Sequence, residues 1–421
     1  MNIKDLKNRR EALSKQLDEL SFSLLFSGIA PFKLKDQNYH FAVNRNFYYL
    51  TGLERENFTL LILRNGENHF EFLFIEEPSE YATKWLGSRM TKEEANAISG
   101  IPVENILYTK DFKTFLASRI LMDSRVALSA LPENLYLDMF RQNAVVQPAA
   151  LSSYSKVIES YPELRIKDAN KILDELRRIK SKSEVEEIKK AIRYTNAGIK
   201  ALQKAVKPGM NERELDALFA FEIRKAGSEG NSFSTIMASG KNATVLHYED
   251  NNSMIEDNTL VLDDLGALSN NYAADITRTY PANGKFTERQ KQYYELVLHV
   301  NKTIIGMVKP GVDFTDLNKK ANALLVEGLM KLGKIKEKSE LSKYYYHSIG
   351  HYLGLDVHDV GTYKKPLEPG VVITVEPGLY ISEESIGIRI EDNILVTKDG
   401  YINLSKGIIK EVKDIEEFME K

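Results

Sequence analysis

The chain has 421 residues, 43% of them hydrophobic and 28% charged, which is the composition of an ordinary globular protein rather than a disordered or repetitive one. Its 57 basic and 60 acidic side chains leave a formal net charge of -3, which excludes the global positive field that gathers nucleic acid or anionic lipid. Cysteine is absent, so disulfides, a thiol nucleophile and thiolate metal ligands are excluded as well.

The length of the chain favours two domains, because one hydrophobic core rarely serves so many residues. No apolar run approaches the roughly 18 residues that a membrane-spanning helix needs, and the first ten residues are charged rather than apolar. We therefore expect a cytoplasmic protein with small or peptidic ligands and with neither a nucleic-acid nor a membrane partner.

Helical and extended patterns alternate from the start of the chain. Apolar residues recur at helical spacing from Ile3 to Leu20, and the apolar segment 22–26 then predicts a strand. Segments 58–63 and 70–74 predict a β-hairpin, because the Asn-Gly pair between them tolerates the positive φ of a tight turn. The amino-terminal region is therefore expected to be an α/β domain.

A long, highly charged stretch from Ile172 to Lys207 has apolar residues at three- to four-residue spacing and predicts a helix. The domain junction is expected just before or within the start of this helix. We therefore predict an amino-terminal domain of residues 1–167 and a second domain of residues 168–421, both of mixed α/β (α+β) structure.

The second half of the chain contains a short internal repeat. Segment Val206-Lys207-Pro208-Gly209 recurs as Val308-Lys309-Pro310-Gly311, 102 residues later, and each copy precedes a helical pattern. Asn211 and Thr315 are available as caps for those helices. Superposing the copies pairs His247 with His351, Asp264 with Glu376 and Asp275 with Glu391. We expect two related half-domains with a central cleft between them.

Two acidic positions lie at the ends of a predicted antiparallel strand pair. The apolar run 260–262 ends in Asp263-Asp264, and extended character resumes beside Asp275. Carboxylates that converge at the end of a sheet repel each other unless a cation neutralises them. Asp275 and one of the two neighbouring aspartates are therefore candidate metal ligands.

Further candidates lie in three short motifs. Three of the seven histidines fall within twelve residues, and they are His347, His351 and His358. Glu376 follows the β-branched run 371–375 and precedes Pro-Gly, so a charged residue closes a strand. Arg389 and Glu391 lie on one face of an alternating segment, where the cation can support a ligand carboxylate.

Taken in order, these motifs resemble the M24 metallopeptidase family over about residues 175 to 410. The resemblance implies a pita-bread catalytic domain with a pseudo-twofold repeat and a site for two divalent metal ions, with Mn(II) as the favoured metal. Asp264 is preferred to Asp263 because it keeps the family's eleven-residue step to Asp275. The implied ligands are Asp264, Asp275, His351, Glu376 and Glu391.

Within this family the chain most resembles aminopeptidase P and prolidase, in which a creatinase-like domain precedes the catalytic one. Segments 44–53 and 358–361 are similar to the corresponding parts of aminopeptidase P. The resemblance implies an Xaa-Pro aminopeptidase that acts on peptides with proline at the second position. It also implies a homodimer.

The resemblance also assigns catalytic roles. A hydroxide held between the metal ions would attack the Xaa-Pro bond while Glu376 accepts its proton. His358 would stabilise the tetrahedral intermediate, and His247 would contact the scissile region or assist the leaving proline nitrogen. His347 is expected to line the proline pocket, and Arg389 to support the ligand carboxylates.

Two alternatives stay open. A prolidase would restrict the same chemistry to Xaa-Pro dipeptides. From another class, some relatives keep the M24 fold as an inactive protein- or nucleic-acid-binding module, although five intact ligands and the absence of a basic patch argue against this. Creatinase-like hydrolases lack the full ligand set.

Overall fold

The chain divides into two units, Met1–Arg177 and Arg178–Lys421. The structure, a computed structural model, describes residues 2–123, 125–141, 145, 149–150 and 160–420. Among the helices of these described residues, none has both the length and the apolar character needed to cross a bilayer. The boundary between the amino-terminal and catalytic domains, predicted between residues 167 and 168, stays a prediction.

Among its described residues, the amino-terminal unit begins with the helices α1 (Ile3–Gln16), α2 (Arg45–Thr51), α3 (Glu80–Leu86), α4 (Lys92–Ser99) and α5 (Phe112–Phe115). The strands described there are β1 (Ser21–Phe26), β2 (Phe32–Leu34), β3 (Gln37–Asn38), β4 (Thr59–Asn65), β5 (Asn68–Ile75), β6 (Ile106–Tyr108), β7 (Asn134–Leu137) and β8 (Arg165–Asp168). Six of these strands form one sheet with the order β6-β5-β4-β1-β7-β8. The predicted β4–β5 hairpin is confirmed, and Gly66 in its turn has φ of +59°.

The first helix is shorter than predicted. Leu17 leaves the helical conformation with φ of -68° and ψ of 156°, so α1 ends at Gln16. Leu20 has φ of +53° and lies in the connection to β1. Leu17 is buried, which is why the apolar spacing continues beyond the helix.

The segment 44–53, on which part of the resemblance rests, forms helix α2. Asn44 caps its first turn, and the Asn46 amide donates to Asp138 Oδ2 at 3.0 Å and to Asn170 Oδ1 at 2.9 Å. Arg177 in turn donates to Asn46 Oδ1 at 2.9 Å. Asn46 therefore joins the helix to the end of a sheet strand and to the last helix of the unit.

The predicted single helix from Ile172 to Lys207 is two helices, α6 (Asn170–Arg178) and α7 (Lys182–Ala205). The break is set by Ser181, whose hydroxyl accepts from the Glu184 amide while the Glu184 carboxylate accepts from the Ser181 amide. Such a capping box satisfies backbone groups that a continuous helix would pair internally. The prediction of an uninterrupted helix is therefore wrong.

The second unit consists of short sheets and helices. Its remaining helices are α8 (Glu212–Lys225), α9 (Glu288–Met307), α10 (Phe314–Lys331) and α11 (Val412–Met419). Its strands are β9 (Ile236–Ser239), β10 (Leu260–Leu265), β11 (Leu268–Ser269), β12 (Tyr272–Ala273), β13 (Ile276–Pro281), β14 (Val372–Val375), β15 (Gly378–Ile381), β16 (Ile386–Arg389), β17 (Asp392–Thr397) and β18 (Gly400–Asn403). Two three-stranded sheets, β13-β10-β9 and β14-β17-β18, position the acidic residues predicted as ligands.

The internal repeat in the sequence has a structural counterpart. Gly209 N donates to Ile255 O at 2.9 Å, and Ile255 N donates to Met210 O at 2.8 Å. The second copy repeats both bonds at the same lengths, from Gly311 N to Leu367 O and from Leu367 N to Val312 O. The predicted cap is correct only in the first copy. In the second, Asp313 occupies the N-cap position of α10 without a side-chain capping bond, and Thr315 lies inside the helix.

Candidate metal centre

Strand β10 separates two neighbouring aspartates because successive side chains point to opposite faces. Asp264 lies at the cavity described below, opposite Thr277 on β13. Asp263 is fully buried on the other face, where it accepts a hydrogen bond from the Tyr280 hydroxyl. Burial raises the pKa of Asp263 to about 7, so its neutral form is accessible without a cation.

A cavity of about 380 Å³ lies in the second unit. All nine residues to which the sequence analysis gave roles line it. They are His247, Asp264, Asp275, His347, His351, His358, Glu376, Arg389 and Glu391. Leu246, Ser348 and Tyr363 also line the cavity, and no role was predicted for them from the sequence.

Three of these residues form a group that can hold a cation. Ligand atoms of Asp275, His351 and Glu391 all lie within 4.8 Å of one another. His351 Nδ1 is 2.9 Å from the Tyr352 carbonyl oxygen, which only accepts hydrogen bonds, so Nδ1 carries the proton. Nε2, 3.2 Å from Asp275 Oδ2, is therefore the ring nitrogen that faces the carboxylates and can bind a metal.

Three carboxylate oxygens in the cluster are buried without a hydrogen-bond partner among the described residues. They are Asp264 Oδ1, Asp275 Oδ1 and Glu391 Oε1. Burial, reinforced by the neighbouring carboxylates, raises the pKa values of Asp275 and Glu391 well above their ordinary values. Orphaned acidic oxygens of this kind are costly unless a proton or a cation compensates them.

Hydrogen bonds from the protein hold the second carboxylate oxygen of two of these acids and the backbone of the third. Arg389 Nη2 donates to Asp264 Oδ2 at 2.5 Å, and the Thr277 hydroxyl donates to Glu391 Oε2 at 2.8 Å. Asn393 donates to the backbone oxygen of Asp275 at 2.6 Å. Asp264 and Glu391 thus each have one fixed oxygen and one free oxygen, which is the arrangement expected of oriented metal ligands.

A hydrogen-bonded chain connects Arg389 to His347. Arg389 Nη1 donates to the Tyr380 hydroxyl at 2.9 Å, which in turn donates to His347 Nε2 at 2.8 Å. His347 Nδ1 donates to the Ser348 carbonyl at 2.8 Å. Burial and the nearby Arg389 cation lower the pKa of His347 to about 4, so this ring is neutral. Tyr380 was not predicted as a site residue, because its strand position marks it only as a core residue.

The remaining candidates complete the cavity wall. The ring centroids of His351 and His358 are 4.2 Å apart, and the two ring planes meet at 76°. Burial lowers the pKa of His358. Glu376 accepts a hydrogen bond from the Thr374 hydroxyl at 3.2 Å, and its Oε1 lies 3.5 Å from His351 Nε2. His247 is an exposed residue on the segment between β9 and β10.

Comparison with known families agrees with this geometry. The model of metallopeptidase family M24 matches residues 186–398, and that of the aminopeptidase P N-terminal domain matches residues 6–127. The chain is 34% identical to an Xaa-Pro aminopeptidase from Haemophilus influenzae, across 99% of this chain and 97% of that protein. The resemblance predicted from the motifs is therefore confirmed.

Solved structures give the same result for the fold. A solved structure from Bacillus anthracis that is assigned to aminopeptidase P shares 46% of its sequence with this chain, with a TM-score of 0.95. The match covers 100% of this chain and 98% of the Bacillus anthracis chain. Aminopeptidase P from E. coli with the inhibitor Pro-Leu is 30% identical with a TM-score of 0.89, at 100% and 98% coverage. The chain belongs to metallopeptidase family M24, with the amino-terminal and catalytic domains of aminopeptidase P.

Proposed function

We propose that this protein is an Xaa-Pro aminopeptidase that removes the amino-terminal residue from peptides with proline at the second position. One observation carries the proposal. Buried carboxylate oxygens without partners converge with His351 Nε2 in a cavity of a chain that aligns along its length with Xaa-Pro aminopeptidases. Such a donor set of oxygen and nitrogen suits divalent ions.

Asp264, Asp275, His351, Glu376 and Glu391 would hold two divalent ions, with Mn(II) the proposed metal. The fit is supported by the free oxygens of three of these acids and by the tautomer of His351. When bound, the ions would lower the pKa of water toward neutrality and so supply the nucleophile. Every other role in the proposal falls to side chains of the protein.

Glu376 is the proposed proton acceptor, since its carboxylate reaches the cavity and is oriented by Thr374. His358 is proposed to donate a hydrogen bond to the oxygen that gains charge in the tetrahedral intermediate. His247 would contact the scissile region or the leaving proline nitrogen. Arg389 would orient Asp264 through their 2.5 Å hydrogen bond.

His347 is the proposed wall of the proline pocket. Its neutral ring is fixed at both nitrogens by Tyr380 and Ser348, so it offers an apolar face rather than a charge. The solved complex of E. coli aminopeptidase P with Pro-Leu supports proline recognition in a related site. A cavity of about 380 Å³ is within the range that holds small ligands.

The proposal is tested by incubating the purified protein with Mn(II) and three substrates, which are an Xaa-Pro dipeptide, an Xaa-Pro-Yaa peptide and a matched Xaa-Ala-Yaa peptide. We expect release of Xaa from the first two and little from the third. Cleavage of the dipeptide alone would identify a prolidase. No release from any substrate would contradict the proposal and favour an inactive binding module.

Three finer points belong to the same proposal. Replacing Mn(II) by Zn(II) or Co(II) after chelation tests the preferred metal. Sedimentation velocity tests the proposed homodimer, and fractionation of the source cell tests the proposed cytoplasmic location.

A further inference from the structure

The segment that carries His247, residues 240–253 and here called the His247 segment, is gathered around a buried carboxylate. Glu212 is the first residue of α8 and has no exposed surface. Among the described residues, no lysine, arginine or histidine forms an ion pair with it. A charge that is buried without a cation must be compensated by hydrogen bonds.

Five donors supply that compensation. Glu212 Oε1 accepts from the Ser239 amide at 2.8 Å, from the Ser239 hydroxyl at 2.7 Å and from the Asn242 amide group at 3.1 Å. Oε2 accepts from the Tyr248 hydroxyl at 2.8 Å and from the Ser253 amide at 2.9 Å. Asn242, Tyr248 and Ser253 lie near the start, in the middle and at the end of the segment, and Ser239 directly precedes it. One side chain therefore ties these parts of the segment together.

The middle contact adjoins His247 directly. Tyr248, the next residue, is bound to Glu212 through its hydroxyl. The His247 imidazole has no hydrogen-bond partner in the described part of the chain. It lines the cavity together with His347 and His358. The direction of the His247 ring therefore depends on the backbone that Glu212 holds.

We propose that Glu212 is a positioning residue for His247, and that it acts by holding the His247 segment against the cavity. The inference deepens the proposed function, on which it rests for the role of His247. Glu212 itself does not line the cavity, so it acts through His247.

Glutamine at this position is the sharpest perturbation. It keeps the shape of the side chain but replaces one accepting oxygen with a donating amide. In either orientation an N–H group then faces a backbone N–H, that of Ser239 or that of Ser253, and neither can reverse its role. The segment must move to relieve this clash of donors.

The test is a double-mutant cycle on hydrolysis of an Xaa-Pro-Yaa peptide with Mn(II), using wild type, Glu212→Gln, His247→Ala and the double variant. We expect Glu212→Gln to lower kcat by roughly tenfold while KM changes less than about threefold. In the His247→Ala background the same substitution should change kcat by less than about twofold. A general structural role would instead lower kcat by the same factor in both backgrounds and would overturn the proposal.

Hydrogen exchange measured by mass spectrometry gives a readout that needs no activity. Glu212→Gln should speed exchange in residues 240–253 and leave residues 352–363 unchanged, whereas unchanged exchange in 240–253 would overturn the proposal. An inactive wild type would contradict the proposed function, and exchange would still decide whether Glu212 holds the segment. Glu256→Gln, an exposed change just beyond the segment, is the matched control and should retain wild-type kcat.

If Glu212→Gln fails to fold, Tyr248→Phe replaces it in the same double-mutant cycle with His247→Ala. It removes one donor and leaves the Ser239 and Ser253 bonds intact. We expect roughly a threefold loss of kcat that disappears in the His247→Ala background. A loss that persists there would count against the proposal.

Discussion

The two copies of the repeat in the catalytic unit hold their histidine-bearing segments by different chemistry. In the first copy, Glu212 binds the His247 segment through hydrogen bonds. In the second copy, the residue at the same distance from the repeated glycine is Phe314. The centroid of its ring lies 6.2 Å from that of Tyr352 and 5.0 Å from that of Tyr363. These two tyrosines begin and end residues 352–363, here called the His358 segment.

A buried ion pair adds to the second arrangement. Lys180 Nζ lies 2.8 Å from Asp359 Oδ2, and both side chains are 1% exposed. Asp359 directly follows His358, as Tyr248 directly follows His247. The residue after a cavity histidine is thus fixed in both segments, while the repeated backbone bonds at Gly209 and Gly311 are the same. The duplication preserves the backbone frame, and the side chains that hold each histidine have diverged.

The largest expected effect comes from replacing Asp264, the first predicted metal ligand of the first copy. Asp264→Asn removes a charge from the cluster and presents an amide to the cation, so we expect metal loss and a fall in kcat/KM of roughly 10⁴-fold, equivalent to about 5 kcal/mol. Metal content by mass spectrometry and peptide hydrolysis check this.

Asp263→Asn is the matched control. Its side chain lies on the opposite face of β10, and burial already raises its pKa to about 7, so a neutral amide is a mild change. We expect metal content to be retained. If Asp263→Asn lost metal while Asp264→Asn kept it, the assignment of the first ligand would be reversed.

The next effect breaks the buried ion pair that holds the His358 segment. Lys180→Met leaves Asp359 buried without its ammonium partner, and such a loss costs about 4 kcal/mol of unfolding free energy. Urea denaturation measures it. Because Asp359 adjoins His358, we also expect a lower kcat in the fraction that stays folded.

Lys182→Met, an exposed lysine two residues away, controls for the change of residue type. It should leave both the urea midpoint and kcat unchanged. Equal destabilisation by the two variants would show that the Lys180–Asp359 contact is not what holds the His358 segment.

Phe314→Ala then tests the aromatic contact. The side chain is 2% exposed, and removing it should cost about 3 kcal/mol of unfolding free energy. Tyr363 lines the cavity and would lose its packing partner, so we expect KM to rise more than kcat falls. Phe314→Leu should recover most of the stability and separates packing volume from the aromatic contact. A larger fall in kcat than rise in KM would contradict this role of Tyr363.

Motifs whose spacing reflects chemistry could be predicted from the sequence. The acids and histidines that line the cavity were all named from order and resemblance, because their spacing follows strand ends that the apolar pattern also marks. The separation of Asp264 from Asp263 follows from strand alternation. The break between α6 and α7 was missed although Ser181 and Glu184 have the spacing of a capping box.

The residues that hold the histidine segments could not be predicted in this way. Glu212 has the position of an acidic residue in a first helical turn, where glutamate is favoured whether it is buried or exposed. Lys180 lies in a charged stretch, and its burial depends on Asp359, 179 residues away in the chain. Tyr380 resembles any core aromatic of a strand. Only long-range packing distinguishes these residues from ordinary surface or core positions.

A charged cluster in the second copy, outside the residues that line the cavity, provides the smallest expected effect. Glu384 accepts hydrogen bonds from Arg289 at 2.8 Å and from Lys334 at 2.7 Å. These bonds, that of Arg289 foremost, outweigh burial and lower the pKa of Glu384 to about 2. A carboxyl group with a lowered folded pKa stabilises the protein above its ordinary pKa and loses that stabilisation as the pH falls toward the folded value.

Comparing wild type with Glu384→Gln by urea denaturation tests this effect. At pH 7 the difference in unfolding free energy should be about 1 kcal/mol, less than the pKa change alone suggests because solvent reaches the side chain and screens the pairs. It should shrink as the pH falls from about 4.5 toward 2, while kcat at pH 7 stays near wild type. Glu327→Gln, in an exposed helical pair, should change stability little at any pH. A loss of activity in Glu384→Gln as large as that of Lys180→Met would show that the second copy depends on its charges generally, rather than on contacts to the His358 segment.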